Sequence, residues 1–398
     1  MMTAEKIRVL VIHNRYLHSG GEDSVFEAEK RALLESRNCL VYELEFSNRD
    51  LSDKNGLIRF VHTLGITFNL LSFIKVYRTA KRDRINIVHV HNFYYRASPS
   101  VFWAARLAGA GTIMTVHNYR LVCVGGYLMR NGAICEKCLG SRSLIWGVKY
   151  RCFQRSFFKS CLLTISNLVN RLIGTMRFQV DRYLALSPFM ATVLSESTLK
   201  LAPEKIIVKP NFVFDIGYKT NTTREGFFLF VGRLSAEKGI LELLSVWKEF
   251  NEPLKIVGDG PLLESVKKAA FENPLIEYLG FKPQDQVHVL QQRCKALVFP
   301  SIWHEGMPMT VLEAKSAGTI IIANRTPNLE YLITHREDGI LYKGNLNQGV
   351  KEFMGLTEQE KEQMMVAARA DYQKRFCKEQ AVDRLMDVYN SVAERSFR

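Results

Sequence analysis

Short apolar runs alternate with amphipathic stretches along the whole chain. Ile7–Ile12, Val41–Phe46, Ile87–His91, Thr112–His117 and Arg182–Leu186 read as strands, with helical patterns at Glu22–Glu35, 57–81, 99–108 and 163–178 between them. The scheme then restarts. Strands are expected at Phe227–Val231, Lys255–Val257, Glu277–Leu279, Ala296–Phe299 and Thr319–Ala323, with helices at 237–250, 261–271, 284–293 and 309–317, and two closing helices at 358–375 and 379–395. Strands of mostly apolar residues are buried on both faces, and their alternation with helices makes parallel βαβ units. The expected class is α/β, with two doubly wound Rossmann-like domains facing a central cleft. A length of 398 residues suits that reading. The boundary is expected near 205–225, where Pro203, Pro210 and Gly217 lie beside the polar Lys219–Glu225 stretch. The domains are then 1–205 and 206–375, with 376–398 a C-terminal helix packing back on the first.

Ligands of such sheets bind beyond the carboxyl ends of the strands. The loops to inspect therefore follow Ile12, His91, His117, Val231, Val257 and Phe299. After Val231 the chain reads Gly232-Arg233-Leu234-Ser235-Ala236-Glu237-Lys238-Gly239. Two cations near a helix N-terminus make a diphosphate site, although taken alone they are equally two solvated charges. After Phe299 comes Pro300-Ser301-Ile302-Trp303-His304-Glu305-Gly306-Met307-Pro308, and a helix carrying Glu313. Pro308 suits the first turn of that helix. Glu313 stands between Val311-Leu312 and Ala314, where an unpaired carboxylate is expensive. A carboxylate taking hydrogen bonds from a diol is how dinucleotide folds hold ribose.

Together with Val257-Gly258-Asp259-Gly260-Pro261, these segments resemble the retaining glycosyltransferases of family four (glycosyl transferases group 1), which have the GT-B fold. Glu305 and Glu313 keep that family's spacing. The resemblance implies that Arg233 and Lys238 bind the donor diphosphate. It implies that Glu305, with Gly306, Met307 and Pro308, meets the donor sugar, and that Glu313 holds the ribose. Met307-Pro308-Met309 departs from the family's more usual Phe-Gly type sequence, which leaves the donor sugar open. In the first half, Ser19-Gly20-Gly21-Glu22 resembles the family's glycine loop, with Gly21 near the donor. His117 in Thr115-Val116-His117-Asn118 resembles its histidine beside the transferred sugar, which positions the donor or stabilises charge. Asn211 matches a hinge-region position. On this reading residues 1–205 are the acceptor side and 206–375 the nucleotide-sugar donor domain.

A nucleoside diphosphate leaving group needs positive potential. The chain holds no Asp-x-Asp for a metal, so Arg233, Lys238 and a helix N-terminus are expected to supply it, with no cofactor for catalysis. No carboxylate pair is evident for double displacement, which leaves same-face attack by the acceptor hydroxyl. Within a Cys-rich insert at 119–161, Cys123, Cys135, Cys138 and Cys152 suit either a structural zinc or reduced thiols packed as small hydrophobes.

Charge is uneven. The formal net charge of +14 lies wholly in residues 1–205, with 29 basic and 15 acidic residues, whereas 206–398 carry 25 of each. Residues 57–84 and 141–182 interleave Lys and Arg with Phe, Leu, Ile and Trp146. Such mixtures suit an anionic membrane surface, and equally a packed core with a solvated face. The first apolar run is broken by Arg8 and stops at His13, too short for a secretory signal. These features point to a cytoplasmic protein held peripherally on the inner face of the membrane. Its donor is expected to be a nucleotide sugar and its acceptor a glycan, lipid-linked as in surface polysaccharide or lipopolysaccharide assembly. A GT-B sugar-nucleotide epimerase stays open as an alternative. So does a zinc-stabilised basic nucleic-acid-binding protein, disfavoured because no nucleic-acid motif accompanies the charge.

Overall fold

The computed structural model describes residues 6–16, 20–48, 65–218 and 224–396. Ser19 of the glycine loop, residues 57–64 of the expected 57–81 helix and residues 219–223 of the expected boundary lie outside the described residues. The chain divides into two units. One comprises Met1–Leu128, Cys135–Asn211 and Ala381–Arg398, the other Met129–Ile134 and Phe212–Gln380.

Strands of the first unit are β1 (Arg8–Arg15), β2 (Leu40–Ser47), β3 (Ile87–Val90) and β4 (Gly111–Val116). The antiparallel ribbon β5 (Met129–Arg130) and β6 (Ala133–Ile134) is counted with the second unit, and the first continues with β7 (Arg182–Ala185) and β8 (Ile206–Val208). The six-stranded sheet has the order β2-β1-β3-β4-β7-β8, parallel throughout. Strand order reverses between β1 and β3, the position at which doubly wound sheets bind ligands. Val9, Leu10, Val11 and Ile12 of β1 are buried, which is why this strand reads as an unbroken apolar run. The C-terminal helix, Lys378–Ser396, places Leu385, Val388, Tyr389 and Val392 on one stripe against Val9, Phe26, Ile87 and Leu184. That spacing is the apolar face of a surface helix.

The second unit contains β9 (Phe228–Val231), β10 (Leu254–Val257), β11 (Ile276–Gly280), β12 (Ala296–Phe299), β13 (Ile320–Asn324) and β14 (Ile340–Tyr342). Its parallel sheet runs β11-β10-β9-β12-β13-β14. Here the order reverses between β9 and β12. Phe228, Phe230, Trp247, Val298 and Ile322 pack the core beneath.

Several elements differ from the sequence reading. β8, placed by the sequence in the second domain, pairs with β7 in the first sheet, and the chain enters the second unit at Phe212. The 163–178 helix is really Phe157–Leu172, opened by Ser156, whose side chain accepts the Lys159 N–H at 3.3 Å. Gly174, with φ 71°, ends it before a short Thr175–Phe178 turn. In place of one helix at 237–250 there is a 3-10 turn, Ala236–Lys238, then Gly239, then Ile240–Val246. Leu70–Arg82 begins only after Asn69, whose side chain accepts the Ser72 N–H at 3.1 Å. The helices Pro188–Ser195, Pro327–Leu332 and Leu346–Met354, and strand β14, are too short for periodicity to reveal. Among the described residues no helix is long and apolar enough to cross a membrane.

Candidate active site

In the second unit the loops after β9 and β12 are knitted together by their backbones. Ile302 N–H donates to Glu237 O at 3.0 Å, and the Ser301 hydroxyl to the same carbonyl at 3.3 Å. The loop after β10 joins them, with Gly232 N–H on Val257 O at 3.1 Å and Leu234 N–H on Asp259 O at 2.9 Å. Three loops at the switch point thus form one platform. On it Lys238 Nζ donates to Glu305 Oε1 at 2.5 Å, and Ser301 Oγ donates to the same oxygen at 2.7 Å. Phe299 and Trp303 lie 5.7 and 5.3 Å from Nζ, so aromatic faces support the cation. Asn328 Nδ2 donates to the Glu305 carbonyl and fixes the backbone of that loop. Arg233 is exposed and forms no ion pair among the described residues.

Beyond this loop, Met307 and Pro308 are buried, and Pro308 occupies the N-cap of Met309–Ser316 rather than its first turn. Glu313 is buried and is not left unpaired. Gln284 Nε2 donates to its Oε1 at 2.9 Å, and His288 Nε2 lies 3.7 Å away. Both partners come from the Gln284–Arg293 helix. Sequence reasoning missed Ser301, Asn328, Gln284 and His288. Ser301 was visible as a polar residue four before Glu305; the others come from segments distant in sequence and gave no signal.

In the first unit, His117 follows β4 and Gly21 opens the Gly21–Ser36 helix. Asn118 Nδ2 donates to Glu22 Oε1 at 2.5 Å, which ties the two segments together. Behind His117 lies a buried polar chain. His117 Nε2 is 3.1 Å from His91 Nδ1, and His91 Nε2 is 3.1 Å from Glu29 Oε1. Glu29 Oε2 accepts from Lys209 Nζ. His89 is held between Tyr389 OH (2.9 Å) and Thr115 Oγ1 (2.8 Å). Burial lowers the pKa of His91, and lowers those of His89 and His117 further. Burial pushes Glu29 upward, but Lys209 and His91 outweigh it and hold the carboxyl well below its ordinary value.

Residues 218–371 match the family described as glycosyl transferases group 1. That span carries Arg233, Lys238, Glu305 and Glu313. The O-antigen chain mannosyltransferase C of Escherichia coli is 26% identical over 54% of this chain and 62% of its own length. The chain therefore spans about three fifths of that relative. A second Escherichia coli protein, UDP-Gal:alpha-D-GlcNAc-diphosphoundecaprenol alpha-1,3-galactosyltransferase, is 25% identical over 74% of this chain and 73% of its own. Among solved structures, Anabaena HepE in complex with UDP-glucose aligns with a TM-score of 0.65 over 97% of this chain and 100% of its own, at 13% identity. The two six-stranded parallel units have the GT-B fold.

The cysteines belong to neither set of loops. None of the eight is in a disulfide. Cys138 is buried, which raises its thiol to about 11, and Cys123 and Cys152 are its neighbours. Four thiolates are the ligand set of a structural zinc, which for Cys123, Cys135, Cys138 and Cys152 stays a proposal. Glu29, His89 and His91 are close enough to share an ion. Glu29 Oε2 already holds the Lys209 ammonium, His89 meets Tyr389 and Thr115, and His91 Nδ1 meets His117.

Proposed function

We propose that the protein is a retaining glycosyltransferase. It moves a sugar, hexosyl or related, from a nucleotide-diphosphate donor to a hydroxyl of a growing glycan. In the reaction the anomeric C–O bond to the diphosphate breaks, and the leaving group takes the electron pair. The acceptor oxygen bonds to the same face of the sugar, and its proton passes to the departing phosphate oxygen. Lys238 and Arg233 supply the positive potential that this charge requires. Glu305 takes hydrogen bonds from sugar hydroxyls and Glu313 from the ribose. His117 positions the sugar. The single observation that carries the reading is the meeting of Lys238 and Glu305 at the switch point of the second sheet.

The acceptor is lipid-linked and the pathway is surface polysaccharide biosynthesis. The named O-antigen and diphosphoundecaprenol relatives support this, and the UDP-glucose complex of HepE supports a nucleotide-sugar donor. The protein works at the inner membrane face, docked on anionic lipid through its first unit. Phe157, Phe158, Leu172 and Phe178 are exposed there, beside the exposed cations Arg155, Lys159 and Arg177.

The test is hydrolysis or transfer across a panel of sugar nucleotides. Turnover of one donor, with the anomeric configuration of the product kept, is the expected result. Folded protein that turns over none of them sinks the reading. Product analysis with donor alone separates it from an epimerase, which converts the sugar nucleotide without any acceptor.

A further inference from the structure

The buried chain behind His117 is longer than holding one ring in place requires, and its charges determine which atom of that ring carries the proton. Glu29 is ionised, and His91 Nε2 lies 3.1 Å from its Oε1. Two lone pairs facing each other at that distance repel, so His91 Nε2 bears a proton. The state of the other nitrogen of His91 depends on charge balance. Were Glu29 alone, a second proton on His91 would neutralise it. Lys209 already does that. Its side chain is 2% exposed and its ammonium sits on Glu29 Oε2. The Lys209–Glu29 pair is neutral, so an imidazolium between Glu29 and His117 would be an uncompensated buried charge. His89 and Tyr389 are neutral and add no negative charge that would favour one, and the Asp23 carboxylate is taken up by His13 at 2.8 Å.

His91 is therefore neutral, with a lone pair on Nδ1. That lone pair is 3.1 Å from His117 Nε2, which must be the donor. We propose that Glu29, His91 and Lys209 are positioning residues that lock His117 as the Nε2–H tautomer, so that its Nδ1 presents only a lone pair. Nδ1 has no partner among the described residues. A ring fixed this way accepts a hydrogen bond from a ligand hydroxyl and donates none to an anion. The group that His117 takes is thus a neutral sugar hydroxyl. This last step rests on the function proposed above; the tautomer does not.

The experiment uses the full chain labelled with 15N at histidine, without substrate, and reads the two ring nitrogens of His117 by their long-range couplings. In the parent at pH 7.5 the proton is expected on Nε2 alone. In Lys209→Met the charge of Glu29 passes to His91, which becomes an imidazolium, and the proton of His117 moves to Nδ1. In His91→Phe the lock is gone and His117 samples both tautomers. That variant keeps an aromatic ring in place, so it tests the idea if Lys209→Met does not fold. A parent with the proton on Nδ1 overturns the proposal, as does a His117 spectrum unchanged in the folded variants. Because no donor is added, these outcomes stand whether or not glycosyl transfer is ever observed.

Discussion

The ammonium of Lys238 and the carboxylate of Glu305, from loops that follow different strands, meet at 2.5 Å. Lys238 is the larger contributor on the proposed reaction path, because its charge faces the diphosphate while the bond breaks. Lys238→Ala should lower kcat by about 10²–10³, the usual cost of losing one donor to developing negative charge. Glu305 is buried, and loses its cation in that variant while keeping only Ser301, so stability falls too. Glu305→Gln keeps the shape and removes the acceptor for sugar hydroxyls. It should lose most of its activity with the fold intact, and with a smaller loss of melting temperature than Lys238→Ala, because the charge left unpaired is on the less buried Lys238. Steady-state kinetics beside a thermal melt checks both, and parent-rate transfer by either variant removes that residue from the site.

Much of this was legible beforehand because strands buried on both faces announce themselves as apolar runs, and the loop motifs follow those runs directly. β1, β9 and β12 are cases in point. The split at Gly239 was less legible. A helical pattern continues across it, and the break is the left-handed turn of Gly239, at φ +73° with no room for a Cβ beside the Pro300 carbonyl. β8 gave no strand signal because it is three half-buried residues after Pro203, where composition suggests a linker. In the site, Glu305 and Glu313 were visible by spacing. Gln284 and His288, which satisfy Glu313, belong to a polar helix whose meaning appears only once the chain is folded.

Gly239 is a point at which the fold dictates the residue. Its φ is +73°, and a Cβ there would sit 2.0 Å from the Pro300 carbonyl oxygen. The left-handed conformation alone costs a residue with a Cβ about 1–2 kcal/mol. The clash adds to it by pushing the loop that carries Glu305 away from Lys238. Gly239→Ala should therefore lower the melting temperature and the donor turnover together. Gly21→Ala is the contrast, because a Cβ there meets nothing within 4 Å among the described residues. Its stability should stay within about 0.5 kcal/mol of the parent. Equal melting temperatures for the two variants would contradict the packing argument.

Glu313 tests the ribose assignment. A group that holds the nucleotide equally in the ground and transition states changes KM rather than kcat. Glu313→Gln retains the side-chain volume beside Gln284 and His288 but presents them with an amide. The expected outcome is a donor KM raised about tenfold, with kcat within about threefold, on the same principle. A fall in kcat of the size expected for Lys238→Ala would place Glu313 in the chemical step instead.

The buried histidines make stability depend on pH in a defined direction. His89, His91 and His117 all have pKa values held below the ordinary one by burial. Above about pH 7.5 neither the folded nor the unfolded chain protonates them. As pH falls through about 6.5, the unfolded chain takes up protons that the folded chain refuses, so stability is lost. Each histidine contributes up to about 1.4 kcal/mol per pH unit, giving an upper bound of about 4 kcal/mol for the three between pH 7.5 and 5.5. Glu29 does not enter this window: its depressed pKa stabilises the fold above about pH 4.5 and is lost only below it. Urea unfolding at pH 7.5, 6.5 and 5.5 measures the loss. His117→Asn, which removes the least enclosed of the three rings, should cut it by about a third. A stability that is flat across this range would mean that these imidazoles take up protons inside the fold, and that their burial is looser than their contacts imply.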